Sequence, residues 1–182
     1  MIVSHKYKFV LIDIPKTASS CLNFHLAPLL GKEDVFCMPD YFFKWETLRG
    51  KSFDIKAKNM WNTDFSRHAN IKNVLSVFPE SESYFKICFV RNTWDRMLSM
   101  YKMHFEEDRL YSKVNKKFMT VSDFHSYLTN LQTPMNEEQT NLSSQLDWMF
   151  DGEDLKIDFV GKFSRLQNDF DYICDKLGLP IQ

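Results

Sequence analysis

The chain is 182 residues long, 44% hydrophobic and 15% aromatic with seventeen Phe; this suits a single domain over residues 1–182 and excludes a disordered chain. Its formal net charge of −1 excludes a global field that would gather nucleic acid or an anionic membrane. Five Gly and six Pro leave little room for flexible linkers.

From the N-terminus, residues 9–14 (FVLIDI) are an apolar run broken only by Asp13 and stopped by Pro15, the pattern of a short buried strand. Lys16, Thr17, Ala18, Ser19 and Ser20 follow, then an apolar-periodic run through Cys21, Leu22, Leu26, Leu29 and Leu30. The spacing predicts a helix over about residues 19–27, disturbed by Pro28 and closed by Gly31. Residues 32–65 carry many aromatics without clean periodicity and read as a long irregular excursion, a kind of segment that often carries function.

Ile71, Val74, Leu75 and Phe78 then share one helical face, ended by Pro79. Residues 84–90 (YFKICFV) are a second buried strand. It leads through Arg91, Asn92 and Thr93 into a helix whose Trp94, Met97, Leu98 and Tyr101 are spaced i, i+3, i+4, i+7. Residues 106–119 read as a charged loop. Thr120 with Asp123 resembles a capping box opening a helix through Phe124, Tyr127, Leu128 and Leu131. After a polar, irregular stretch over 132–147, residues 157–161 (IDFVG) form a third short strand. Ser164 caps a last helix burying Leu166, Phe170, Ile173, Cys174 and Leu177, with Gly178 at its end.

Strands alternating with helices predict an α/β fold, a parallel β-sheet flanked by helices, with ligands at the carboxyl ends of the strands. Residues 16–20 and 91–93 both fall at such ends. The first of these, strand then tight loop then helix start, is an anion site, because unpaired backbone N–H groups and the helix dipole converge there. Lys16 adds a full positive charge and three hydroxyls add donors, so the natural guest is a phosphate. This is not a Walker A loop: there is no leading glycine and no Gly-Lys-Ser/Thr ending. At the second strand end, Arg91 can present its fork to a phosphate, and Ser99 lies about two helical turns further on.

The four cysteines (Cys21, Cys37, Cys88, Cys174) have no metal-ligand spacing and read as free, mostly buried thiols of a reducing compartment. The first thirteen residues have no signal-peptide plan, and no stretch approaches membrane-spanning length. The expectation is a cytoplasmic protein without a membrane or nucleic-acid partner.

Together the two loops resemble the cofactor signature of the sulfotransferases that use 3′-phosphoadenosine 5′-phosphosulfate (PAPS), in particular the Golgi-type carbohydrate sulfotransferases of the heparan sulfate 2-O- and chondroitin branch. IPKTASSC is similar to that family's 5′-phosphosulfate loop. FVRNTWDRMLSMY is similar to its 3′-phosphate motif, Arg-(Asn/Asp)-Pro-x-x-Arg-x-x-Ser followed by an aromatic. Residues 158–163 with Leu166, Asp169 and Phe170 resemble its C-terminal segment, so the likeness spans about residues 7–180 in order. Ala18 stands where many members have Gly, Thr93 where Pro is common, and Ser164 where many have Glu. The expectation is a short form without the membrane anchor of the Golgi enzymes.

The resemblance implies a P-loop NTPase-like sulfotransferase fold, PAPS as sulfuryl donor, PAP as product, and no metal. It implies that Lys16 contacts the phosphosulfate and stabilises charge on the leaving oxygen. Backbone N–H groups of Thr17, Ala18, Ser19, Ser20 and Cys21, with the Ser19 and Ser20 hydroxyls, would cradle the 5′-phosphate. Arg91 and Ser99 would hold the 3′-phosphate, and Arg96 would be structural. Of five histidines, His68, just before a helix where several relatives place the histidine thought to be the base, is the first choice. His25 and His104 come second, while His5 and His125 look incidental.

The acceptor is a hydroxyl, most plausibly on a glycan. Lys44, Arg49, Lys51, Lys56, Lys58, Arg67 and Lys72, set against Glu46, Asp54 and Asp64, offer either a surface for an anionic or sugar acceptor or a solvated face. Two other classes stay open. One is a magnesium-dependent phosphotransferase on a related fold; the other is a non-catalytic nucleotide-binding module.

Overall fold

The computed structural model describes residues 1–38, 55–60, 65–112, 120–130 and 143–180. Contacts divide the chain into two compact units, residues 1–90 with 144–182 and residues 91–143.

The first unit is built on a six-stranded sheet. Its strands are β1 (Ile2–Ser4), β2 (Phe9–Ile12), β3 (Val35–Phe36), β4 (Lys58–Asn59), β5 (Phe85–Val90) and β8 (Phe159–Lys162), in the spatial order β4-β3-β1-β2-β5-β8. β2, β5 and β8 run parallel, with Leu11 opposite Ile87 and Phe89 opposite Gly161. β1 is antiparallel to both of its neighbours, β2 and β3. The sheet is therefore mostly parallel, as the alternation of strands and helices predicts. β1 was not expected: two apolar residues and a serine are too few to announce a strand, and hairpin pairing with β2 forms it. A separate two-stranded hairpin pairs β6 (Phe150–Asp151) with β7 (Asp154–Leu155).

Period-two alternation in β2 divides its side chains between two cores. Phe9 and Leu11 join Leu22 and Leu26 of α1 (Ser19–Leu26) and Phe170, Ile173 and Cys174 of α5 (Leu166–Leu177). Val10 and Ile12 join Ile71 and Val74 of α2 (Ile71–Val77), with Trp148. Helices thus cover both faces, and β2 is buried along its whole length.

One end of α5 differs from expectation and the other meets it. Ser164 does not cap α5; it lies within a 3-10 turn, Phe163–Arg165, and the helix starts at Leu166 without a side-chain cap. Asp169 instead reaches back to accept from the Lys162 backbone N–H at 2.7 Å, which fixes the turn to β8. Gly178 closes α5 in the left-handed region, φ 61°, as predicted.

In the second unit, α3 (Thr93–Ser112) continues through residues expected to be loop from 106 onward. Charge does not oppose a helix, since Glu and Arg are strong helix formers. α4 (Val121–Asn130) opens with the expected box: Asp123 N–H donates to Thr120 Oγ1 at 3.1 Å, and Thr120 N–H donates to Asp123 Oδ2 at 3.0 Å. Arg96, a buried residue of α3, donates to the Ser143 carbonyl oxygen at 3.0 Å.

Most of the aromatic and basic excursion, residues 39–54 and 61–64, lies outside the described residues, as do 113–119 and 131–142. Among the described residues, Cys37, Cys88 and Cys174 are buried free thiols and Cys21 is exposed; burial pushes the Cys88 thiol up to about 12. No helix among them is long and apolar enough to cross a membrane.

Gly161 makes the β5–β8 pairing tight. A Cβ there would sit 2.4 Å from Cε1 of the Phe89 ring, closer than any real contact, and Phe89 is buried. Gly161→Ala should therefore cost about 1–3 kcal/mol by overpacking, read as a lowered midpoint in urea; an unchanged midpoint would mean the ring has room to turn.

Candidate active site

β2 ends at Ile12, and the chain then makes a tight loop into α1 over residues 13–18. Two residues of this loop, Lys16 (φ 66°) and Ala18 (φ 80°), lie in the left-handed region. Left-handed residues on either side of Thr17 turn successive N–H groups toward one concavity, the arrangement that binds anions. For residues with a Cβ this conformation costs about 1–2 kcal/mol each, so the rest of the loop must hold it.

Thr17 does part of the holding. Its hydroxyl donates to the Ile14 carbonyl oxygen at 2.8 Å, and the residue is buried. The expectation that three hydroxyls face the anion is thus met by two at most, because Thr17 spends its donor on the loop itself. α1 begins at Ser19 with Ala18 as N-cap, and no side chain caps it. The first bond of the helix is Leu22 N–H to the Ala18 carbonyl oxygen, 3.1 Å. The amides of Ser19, Ser20 and Cys21 precede it and have no partner within the helix, so they are left for a guest.

Asp13 is the centre of the site. It is wholly buried, and its carboxylate accepts from Asn23 Nδ2 at 2.7 and 3.0 Å and lies 2.5 Å from the Met1 ammonium. Arg67 Nε stands 3.5 Å away. Burial alone would push this carboxyl up, but the ammonium and the guanidinium outweigh it and hold Asp13 below its ordinary value. Arg67 also reaches α1: its Nη2 donates to Ser20 Oγ at 2.9 Å and approaches Ser19 Oγ at 3.4 Å.

His68 sits beside this cluster, with Nδ1 2.6 Å from the backbone carbonyl oxygen of Asp13. A carbonyl oxygen can only accept, so the proton is on Nδ1 and the lone pair is on Nε2. From its other flank the residue is pinned by Trp148, whose indole N–H donates to the His68 carbonyl oxygen at 2.8 Å. Burial drives the imidazole pKa down to about 4, against the smaller opposing pull of its bond to Asp13.

Within the first unit, His68 rests on Asp13 at the start of the loop, and its neighbour Arg67 reaches Ser19 and Ser20. Arg91 and Ser99 belong to the second unit. Arg91 follows directly on β5, which lies parallel and next to β2, as expected of two neighbouring strand ends. His25 is exposed on α1, 6.1 Å from the Phe170 ring centroid. His5 meets the Tyr84 hydroxyl at 2.9 Å, His125 is exposed on α4, and His104 lies on α3. A groove of about 360 Å³ opens beside Cys21, between α1 and α5, and is lined by Leu22, His25, Leu166, Phe170 and Cys174.

Sequence reasoning did not find Asp13 and Arg67. Asp13 stood out only as an interruption of an apolar run, and Arg67 was one cation among seven. A carboxylate inside a buried strand was nonetheless a signal, since it must find partners.

The low His68 pKa has a stability consequence. The folded state refuses a proton that the unfolded imidazole takes up near 6.5, so the contribution is complete above about pH 6.5 and is lost as pH falls toward about 4. Wild type should lose at most about 3 kcal/mol more than His68→Gln across that window; parallel denaturation-against-pH curves for the two would refute the assignment.

In comparisons with known proteins, no curated protein and no solved structure matches this chain. The family model described as the sulfotransferase family matches residues 1–182, the whole chain. By that match, and with an α/β sheet whose strand β2 leads through a left-handed loop into α1, the chain belongs to the sulfotransferase family.

Proposed function

We propose that this protein transfers the sulfuryl group of PAPS to a hydroxyl of a carbohydrate, in the manner of the heparan sulfate 2-O- and chondroitin branch of its family. One observation carries the reading. A left-handed loop at the end of β2 lies beside a neutral histidine whose Nδ1 proton is committed to Asp13, which leaves Nε2 as a base.

PAPS supplies an activated sulfuryl group joined to its 5′-phosphate through a bridging oxygen. The amides of residues 17–21, with the Ser19 and Ser20 hydroxyls, fit the oxygens of that phosphate. Lys16 stabilises the negative charge that grows on the bridging oxygen as its bond to sulfur breaks. His68 Nε2 takes the proton of the acceptor hydroxyl as the new S–O bond forms. In the family motif, Arg91 and Ser99 grip the 3′-phosphate, the group that sets PAPS apart from other adenine nucleotides. The groove beside Cys21 offers the adenosine end room and the aromatic lining of Phe170.

Calorimetric titration with adenosine 3′,5′-bisphosphate, AMP and ATP separates this reading from the others. Wild type should prefer the bisphosphate without added metal, and Arg91→Ala should lose about 10–100-fold of that preference, the worth of charged hydrogen bonds. Magnesium-dependent preference for ATP would indicate a phosphotransferase instead. Tight bisphosphate binding with no transfer from labelled PAPS to a panel of glycans would indicate a binding module.

Lys16→Ala should lower kcat about 10²–10³-fold. His68→Ala should lower it about 10²–10⁴-fold while bisphosphate affinity holds. The acid limb of kcat/KM should fall near the low His68 pKa of about 4. A limb at the ordinary histidine value, absent from His68→Ala, would place the base in a different environment; a limb unaffected by that substitution would place it on another residue.

A further inference from the structure

Arg67 touches three residues of the anion loop and α1 at once. Nη2 lies 2.9 Å from Ser20 Oγ and 3.4 Å from Ser19 Oγ, and Nε lies 3.5 Å from Asp13 Oδ2. The first is a good hydrogen bond, and the other two are at the limit and act chiefly through charge. The side chain is only 14% exposed. Its chain neighbour is His68, whose ring rests on the carbonyl of the same Asp13.

From this juxtaposition we propose that Arg67 is a positioning residue, a rigid strut that sets His68 against the end of β2 by tying its own backbone to the hydroxyls of α1. The inference rests on reading residues 16–21 as the phosphosulfate loop and His68 as the base.

The chemistry suits a guanidinium and no other side chain. A planar fork can span Asp13 on one edge and two hydroxyls on another, whereas a lysine ammonium is a single point of charge on a flexible stem. As a donor to both serine oxygens, Arg67 leaves their hydroxyl hydrogens to turn toward an anion. The phosphate is then met by the hydroxyl hydrogens and amides, which Arg67 does not occupy. The His68 backbone is held as well by Trp148, whose indole N–H bonds its carbonyl oxygen, so Arg67 and Trp148 both fix the main chain that carries the ring.

The test compares wild type, Arg67→Lys and Arg67→Gln by two readouts. Nitrogen-15 NMR of the imidazole reports the His68 tautomer in the free protein, and calorimetry reports the affinity for adenosine 3′,5′-bisphosphate. Wild type should show one tautomer, protonated at Nδ1. Both variants should show a mixture of tautomers, while bisphosphate affinity stays within about threefold, a difference of less than 1 kcal/mol.

Persistence of the single Nδ1–H form in both variants would overturn the proposal. So would a drop in affinity of more than about tenfold in Arg67→Gln that Arg67→Lys restores, because Arg67 would then be a direct phosphate ligand. Should Arg67→Gln fail to fold, Arg67→Lys decides the tautomer question alone. If wild type binds no bisphosphate, the functional reading fails on its own, and the NMR comparison still decides what Arg67 does.

Discussion

A carboxylate without water is the constraint on which the rest of this structure depends. Asp13 lies just past the end of β2, a strand buried along its whole length, and is itself wholly removed from solvent. An isolated ionised carboxylate in such a place would be prohibitively costly. The chain meets that cost by drawing charge and donors from three places: the Met1 ammonium before β1, Asn23 on α1, and Arg67 in the segment before α2. Each partner brings its own element with it. The demands of one buried anion thus gather β1, α1 and the 65–69 segment around the carboxyl end of β2, and this is where the left-handed loop stands.

Pairs of this kind add little net stability but are very costly to break from one side. Their contribution is arrangement. The Asp13 side chain settles where α1 and Arg67 lie, and its backbone carbonyl settles which nitrogen of His68 carries a proton. A single buried residue therefore governs the pose of the groups around the loop.

Much of this was legible in the sequence. The β2–loop–α1 unit, the second strand with Arg91 at its end, the 120–123 capping box and the Gly178 stop all follow from short-range patterns, and short-range physics decides them. β1 was not legible, because its strand character comes from pairing with β2 and β3 and not from its own three residues. Ser164 looked like a cap because hydroxyls usually are, but Asp169 captures the turn from within the helix. Arg67 was hidden for a related reason: its role is fixed by Ser19 and Ser20, more than forty positions away. Patterns along the chain show where the loop and its helix lie; they do not show which distant side chains brace the place.

Ala18 carries a last consequence. Many relatives resembled by this loop use glycine there, which visits left-handed and right-handed backbone alike. A methyl group at the same torsion removes most of those alternatives once the fold has forced the residue into place. The loop then fluctuates over fewer shapes, so its amides stay aligned, and on the proposed reading an anion would lose less entropy on capture. The penalty appears in the folding equilibrium instead, as strain stored in the loop itself.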